Sequence, residues 1–396
     1  MSAPVQHLSA TGVRSHATSE AALAATRRLR ILAVTPHFLP QIGGTELHTY
    51  ETARRLAAAG QHVAVLTTRD DSNVPAQDVI DGIPVYRAAS FGNRLDLRLA
   101  PAIGRVIRAG AWDLVHVQGI HTLVAPLAML AARRAGIPYV VTFHSGGHSS
   151  RLRNAVRSTQ WRLVRPLAAR ANALIGVSDF ESGYFREQLG LRADQVVTIP
   201  NGAHLPAPTG RPAPLGEGPL IVSVGRLERY KGHHRVVAAF PHVLRRHPAA
   251  WLRIAGSGPY EEVLRRQARD LGIDAAVTID SIPAGERERM TDLLQQAAVV
   301  TLLSEYESHG IAALEAISLG RPTIVTDATA LGELVERRLA VGLAPASTPE
   351  EIADAICGQI ERPHQPPPVE LPSWDECAAR LGELYASIVT DTPCVS

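Results

Sequence analysis

From residue 30 onward, short runs of β-branched and other apolar residues alternate with longer segments rich in Ala, Leu and Arg. This alternation predicts strands joined through crossover helices, the arrangement of parallel sheets with helices on both faces. In the first half, strands are predicted at 30–35, 62–68, 84–87, 114–117, 139–144, 173–177 and 196–200. Several are apolar nearly throughout, as strands covered on both faces must be. Between the first two, residues 45–59 carry Leu47, Tyr50, Ala53, Leu56 and Ala57 at helical spacing, and Gly60 follows as a C-terminal stop.

The pattern lapses over 202–218, which is rich in proline and glycine and reads as an interdomain linker. It restarts with strands predicted at 220–224, 251–255, 276–279, 299–303, 323–326 and 341–344. The predicted fold class is α/β: two Rossmann-like, doubly wound parallel-sheet domains, the second smaller, facing across a cleft. The expected division is a mobile N-terminal tail at 1–28, a first domain at 29–205, a linker at 206–218 and a second domain at 219–372. A proline-rich stretch at 363–372 precedes an amphipathic helix from about Trp374 to Ile388, within 373–396, which could cross back to the first domain.

Composition supports two cores, since 396 residues with 45% hydrophobic content exceed what one ordinary core holds. A formal charge of +2 gives no global attraction to nucleic acid. Cys357, Cys377 and Cys394 show no metal-ligand spacing and read as inert thiols in a reducing compartment, so a cytoplasmic location is expected. The longest apolar stretches, such as 123–132, fall short of the ~20 residues that span a bilayer. Residues 1–28 lack the continuous apolar segment of a secretory signal. One count is unusual: Lys231 is the sole lysine among 40 basic residues. Where arginine is the default, a retained lysine points to a site that needs a compact ammonium.

Open α/β sheets bind ligands at the carboxyl ends of their strands, and five candidates lie there or beside them. The loop 36–44, PHFLPQIGG, follows the first strand; Gly43 and Gly44 permit a turn with little side-chain bulk that brings a helix N-terminus near an anion or sugar, or simply a tight connection. Its spacing is not that of a nicotinamide-binding loop, and the second strand ends in Thr67 and Thr68 without an acid. After the first strand of the second domain comes VGRLERYKG, where Arg226 and Lys231 flank a turn and could converge on a diphosphate or remain solvated charges. In SEYESHGIAALEAISLG, Glu307 precedes a helix beginning near Gly310 or Ile311, and Glu315 lies about one turn inside it. As acceptor-only carboxylates they suit hydroxyl groups, while the N–H groups at Gly310 and Ile311 suit phosphate or sugar oxygens. Alternatively, Glu315 satisfies a neighbouring backbone donor. In TFHSGGH, His144 is expected to face the cleft, with His148 the weaker candidate; Ser145 lacks the turn of a nucleophile elbow. Finally, no acid occurs between Asp113 and Asp179, and the arginine-rich run 151–170 carries Leu152, Val156, Trp161, Leu163, Val164 and Leu167. Such a helix is either an ordinary solvated one or a peripheral contact with an anionic membrane at its inner face.

Taken in order, these strings resemble glycosyltransferase family 4, retaining enzymes of the GT-B fold that use nucleotide-sugar donors. The resemblance covers about 29–390 and rests on E-x7-E at Glu307 and Glu315, GRL followed by KG at Arg226 and Lys231, and PxxGG at Pro40 to Gly44. IPNG at Ile199 to Gly202 and WDE at Trp374 also match. The resemblance implies that Arg226 and Lys231 neutralise the diphosphate, Glu315 binds the ribose, and Glu307 holds sugar hydroxyls near the Gly310 and Ile311 amides. It places His144 by the reacting carbon, makes the first domain the acceptor side, and sets Gly43 and Gly44 along the donor phosphate. The base is expected against the loops at Gly256 and Ile282. His309, where the family often has phenylalanine, and Asp280 with Ser281 depart from the pattern, as does His204 after the NG turn.

The expected activity is therefore retaining transfer to a small-molecule or lipid-linked acceptor. No D-x-D occurs, so no cofactor and no obligatory metal are expected, with cationic side chains and a helix terminus stabilising the leaving group. A nucleotide-sugar epimerase on the same scaffold and a non-catalytic nucleotide-sugar or lipid-binding protein are the alternatives. The epimerase would need paired acids or bases around the sugar, and no extra set is evident.

Overall fold

The computed structural model describes residues 28–41, 43–69, 73–91, 98–144, 151–210, 218–283, 286–367 and 369–391, with backbone alone for 151–159 and 391. The tail 1–27, linker residues 211–217, the loop from Ser145 through His148, and Cys394 lie outside the described residues.

The first sheet comprises β1 (Arg30–Val34), β2 (His62–Arg69), β3 (Gln77–Ile80), β4 (Ile83–Ala89), β5 (Leu114–Gln118), β6 (Tyr139–Thr142), β7 (Ala173–Gly176) and β8 (Val196–Thr198). Its helices are α1 (Gly44–Ala58), α2 (Ala102–Ala109), α3 (Val124–Arg134), α4 (Arg151–Ala168) and α5 (Asp179–Leu189). The second sheet comprises β9 (Leu220–Val224), β10 (Trp251–Ala255), β11 (Val277–Asp280), β12 (Val299–Leu302), β13 (Thr323–Thr326) and β14 (Val341–Leu343). With it run α6 (His233–Arg246), α7 (Glu261–Asp270), α8 (Arg287–Gln296), α9 (Ile311–Ser318), α10 (Thr329–Glu336) and α11 (Pro349–Glu361), before a last helix, α12 (Trp374–Asp391).

The strand orders are β3-β4-β2-β1-β5-β6-β7-β8 and β11-β10-β9-β12-β13-β14. Among the described residues the strands pair in parallel except β3 with β4, and an isolated antiparallel bridge joins Phe91 to Leu99. Strand β3 was not predicted. It is an exposed edge with Val79 65% accessible, so it carries no apolar run. Its partner is reached through Asp81 and Gly82, both in left-handed conformation, as a tight hairpin demands. Strand β6 stops two residues short of prediction because His144 takes a left-handed backbone, φ 43°, which ends the extended run.

Alternate residues of β1 serve opposite faces: Leu32 and Val34 join one core with α3 and α5, while Ile31 and Ala33 join the other with α1. That second core is completed by α12, which buries Trp374, Leu381 and Tyr385 against α1 and the first sheet. Burial of this kind contributes about 1.5–3 kcal/mol per large side chain. Polar contacts fix its register: the Tyr385 hydroxyl lies 2.5 Å from His116 Nδ1, and Arg55 Nε donates to Asp375 at 2.6 Å.

In each sheet the winding reverses at the first strand, β1 next to β5 and β9 next to β12. Loops leaving the carboxyl ends of such neighbours diverge and open a crevice. The two domains bring these ends together. Ile311 at the start of α9 packs against the first domain's core, and the Phe180 N–H at the start of α5 donates to Glu333 of α10 at 2.5 Å. The rings of Phe180 and Tyr306 are 5.9 Å apart beside that bond.

Candidate active site

Because β9 and β12 are parallel neighbours, the loops after them must meet, although dozens of residues separate them in sequence. Lys231 Nζ donates to Glu307 Oε1 at 2.7 Å, and the Ser304 hydroxyl donates to the same oxygen at 2.8 Å. The Glu305 N–H donates to the Tyr230 carbonyl at 2.7 Å, tying the two loops by their backbones. Gly232 closes the short turn Arg229–Lys231 in left-handed conformation, φ 75°, and a Cβ there would sit 1.9 Å from the Leu303 carbonyl oxygen. Both conditions select glycine. Burial pulls the Lys231 pKa down, but the Glu307 carboxylate outweighs it and holds the ammonium above its ordinary value. Lys231 stays charged.

Arg226 lies earlier in the same loop after β9 and is set by a residue that sequence reasoning missed. His233, buried at the start of α6, donates from Nε2 to the Arg226 carbonyl at 3.2 Å, and its Nδ1 lies 2.8 Å from Ser223 Oγ. Burial lowers its pKa to about 4, so it acts as a neutral bracket. The Arg226 side chain reaches the other domain: its Cδ lies 3.4 Å from where a Cβ on Gly43 would stand. Gly43 has an extended backbone, φ −154°, that any residue adopts. The turn therefore does not use glycine's conformational freedom at this position; what Gly43 supplies is the absence of side-chain bulk. A Cβ would meet Glu46 Oε2 at 2.6 Å, so a side chain there would have to displace the Glu46 carboxylate. Gly44 is the first residue of α1 and faces Ile311 Cδ1, 3.8 Å from a Cβ built on it.

Helix α9 begins after Gly310, left-handed at φ 75°, and no side chain caps it. Its N-terminus offers backbone donors and the positive end of the helix dipole. The Glu307 N–H is held by Thr329 Oγ1 at 3.1 Å. Glu315, 2% exposed, takes no backbone donor among the described residues, although one sequence reading allowed it. It pairs with the Arg287 guanidinium from α8, a partner the sequence did not disclose. Burial raises its pKa, Arg287 opposes the rise, and Glu51 of α1 adds to it.

His144, expected to face the cleft, is 7% exposed and forms part of an imidazole cluster. Its Nε2 lies 2.9 Å from Gln118 Oε1, which can only accept, so Nε2 carries the proton. The His48 ring is 4.5 Å away, itself bonded through Nδ1 to Asn201 Oδ1 at 2.7 Å. His309 enters from the other domain. Burial holds all of them neutral, lowering His48 to about 4 and His309 to about 3, and His144 and His116 well below the ordinary value. Of the loops expected at the base, Gly256 is pressed to 1.9 Å, measured from a built Cβ, against the Gly225 carbonyl oxygen. Ile282 is half-buried against the second domain's core. Asp280 is engaged by Arg253 at 3.0 and 2.9 Å.

Two parallel-sheet domains facing across a cleft, with a lysine–carboxylate pair and an uncapped helix at one switch point, have the architecture of the GT-B fold. Residues 42–205 match the family model Glycosyltransferase Family 4, and residues 211–365 match Glycosyl transferases group 1. The chain is 32% identical over 339 residues to glycogen synthase of Mycobacterium tuberculosis, covering 78% of this chain and 80% of that protein. It is 29% identical over 402 residues to D-inositol 3-phosphate glycosyltransferase of Nocardiopsis dassonvillei, covering 90% and 86%. Anabaena Alr3699/HepE, solved in complex with UDP-glucose, has the same fold at TM-score 0.68 and 20% identity, covering 92% of this chain and 97% of that one. The chain belongs to glycosyltransferase family 4 and is a glycosyltransferase.

Proposed function

We propose that the enzyme transfers a sugar from a nucleotide-diphosphate sugar to a hydroxyl acceptor, with retention at the anomeric carbon and no obligatory metal. The carrying observation is the convergence of Lys231, Arg226 and the uncapped start of α9 beside Glu307. Two cations and a helix N-terminus suit the charge that develops on a departing diphosphate. Glu307 would accept from donor-sugar hydroxyls while keeping Lys231 in place, and the Gly310 and Ile311 amides would face sugar or phosphate oxygens. Glu315 would accept from the ribose, and the base would lie by Gly256 and Ile282. His144, protonated on Nε2, would present Nδ1 toward the donor sugar.

In the proposed step the bond from the anomeric carbon to the diphosphate oxygen breaks, and the acceptor oxygen bonds the same face. The acceptor's proton passes to the departing phosphate oxygen, so no separate base is required. Closure of the domains, as in the Phe180–Glu333 bond, would keep water from the donor. The first domain, 29–205, would take the acceptor and 219–372 the donor, with 206–218 as the linker. Mass-spectrometric screening of uridine, guanosine and adenosine diphosphate sugars, with and without hydroxyl acceptors, tests the proposal. Transfer that survives chelation and yields the donor's anomeric configuration supports it; inversion, or donor conversion without an acceptor as in an epimerase, refutes it.

The acceptor class is either a small molecule, as the inositol phosphate named for one relative suggests, or a lipid-linked one. Among the described residues no helix is long and apolar enough to cross a membrane. Helix α4 favours peripheral contact at the inner face: Leu163 is 75% exposed between exposed Arg162 and Arg165, while Trp161 and Val164 are buried.

A further inference from the structure

We propose that Arg287 is the positioning residue for nucleotide binding, holding the Glu315 carboxylate charged and oriented so that its second oxygen accepts from the ribose. The inference rests on the reading of Glu315 as the ribose acceptor and adds the residue that makes that role possible.

Glu315 is almost wholly buried on α9, and a carboxylate in that setting is costly to ionise unless a counter-charge reaches it. The groups that act on it are few. Strands β12 and β13 beneath the helix, VVTL and TIVT, carry no titratable side chain. From the other domain α1 presents Glu51, which has the wrong sign and is itself occupied by Arg54 at 2.7 Å and by Arg55. The Arg287 guanidinium supplies the positive charge, bonded through Nη2 to Glu315 Oε1. Among the described residues no donor is bonded to Oε2. The arrangement divides the carboxylate into one oxygen fixed by the protein and one left for a ligand. An ionised carboxylate only accepts, which matches a ribose diol; a protonated one turns an acceptor into a donor.

Arg287 sits in the first turn of α8 with its side chain 22% exposed, close enough to solvent for a nucleotide to pass it. Removing it leaves Glu315 buried opposite Glu51 with nothing to oppose the rise in its pKa, so the carboxyl takes up a proton more readily as pH falls.

The experiment titrates UDP and GDP, and their 2′,3′-dideoxy counterparts, into the full-length protein by calorimetry at about pH 6.5 and about pH 8.5. Arg287→Ala should weaken ribonucleotide binding about tenfold at the lower pH and recover toward wild type at the higher one. Discrimination against the dideoxy compounds should shrink and return in parallel, and kcat at saturating donor should change little. Arg287→Lys, which keeps the charge, should stay near wild type and serves if the alanine variant does not fold. If Arg287→Ala binds like wild type at both pH values while Glu315→Gln binds weakly, Arg287 has no positioning role and the ribose reading stands. If Glu315→Gln also binds like wild type, the ribose reading itself fails. Tighter binding by Arg287→Ala makes the guanidinium a plug and overturns the proposal.

Discussion

Lys231 Nζ and Glu307 Oε1 meet at 2.7 Å although 76 residues separate them. The adjacency of β9 and β12 makes the meeting unavoidable, and Gly232 lets the lysine turn come within contact of the Leu303 backbone. The pair keeps a charged ammonium at the switch point before any donor arrives. Such preorganisation is what a site for a developing negative charge requires.

Replacing Lys231 with Ala should therefore lower kcat/KM about 100-fold or more. Because Glu307 loses its partner, stability should also fall by about 1–3 kcal/mol. The two effects separate in Lys231→Met/Glu307→Gln, which removes both charges: thermal melting should return toward wild type and transfer should not. Recovery of activity along with the melting temperature would show the lysine to be structural.

Gly310 offers a sharper structural test. Its left-handed backbone starts α9, and an added Cβ would stand 2.6 Å from Leu331 Cδ2. Gly310→Ala should cost about 1–3 kcal/mol in chemical denaturation and weaken donor binding, since the helix N-terminus moves with it. Gly60→Ala is the control: it has a positive φ of 88° but nothing within 4 Å, and it follows the far end of α1, the helix that starts at Gly44. It should lose stability without affecting the donor.

Which parts of this arrangement the sequence displayed follows from how local each signal is. Strands such as β5 and β9, buried on both faces, announce themselves as apolar runs. Strand β3 does not, although Asp81-Gly82 is a hairpin dipeptide that could have located it. Lys231, Glu307 and Glu315 were legible because strand ends and a singular lysine mark them. Arg287 was not: it is one arginine among many, and only the packing of α8 beside α9 sets it against Glu315. His233 and His48 escaped for the same reason, since their partners Ser223 and Asn201 become neighbours only in the folded sheet. The need for little bulk at Gly43 was legible, but not the Glu46 and Arg226 atoms that lie against it.

The imidazole cluster predicts a pH dependence of stability. The folded protein holds His309 at about 3 and His48 at about 4, against an unfolded value of 6.5. Between these limits the unfolded chain binds more protons, so stability is full above about pH 6.5 and declines as pH falls toward 4. Each such histidine contributes a slope of about 1.4 kcal/mol per pH unit inside the window. Denaturation of His309→Phe from pH 7 to about pH 4.5 should show a slope smaller by that amount. An unchanged slope would mean that His309 is protonated in the folded state.

The exposed face of α4 can be tested separately from catalysis. Vesicles containing anionic lipid should sediment the wild-type protein at low ionic strength and release it as salt rises. Leu163→Glu should abolish sedimentation while leaving transfer to a water-soluble acceptor intact, because Leu163 points away from the core. Equal sedimentation of both proteins would remove α4 as the contact.

The last prediction concerns water. Glu333 of α10 accepts from the Phe180 N–H of α5, and burial raises its pKa. A carboxylate at a helix start is favourable to both partners, and here it also joins the two domains. If that bond helps hold the closed state, Glu333→Ala should admit water to the bound donor without touching the diphosphate or the sugar. The measured quantity is the ratio of free sugar to transferred sugar, which should rise several-fold, by about 3–10 times for a loss of about 1 kcal/mol in closure. Glu333→Gln keeps an acceptor oxygen and should give an intermediate ratio. A ratio equal to wild type in both variants, with normal turnover, would show that closure does not depend on this bond.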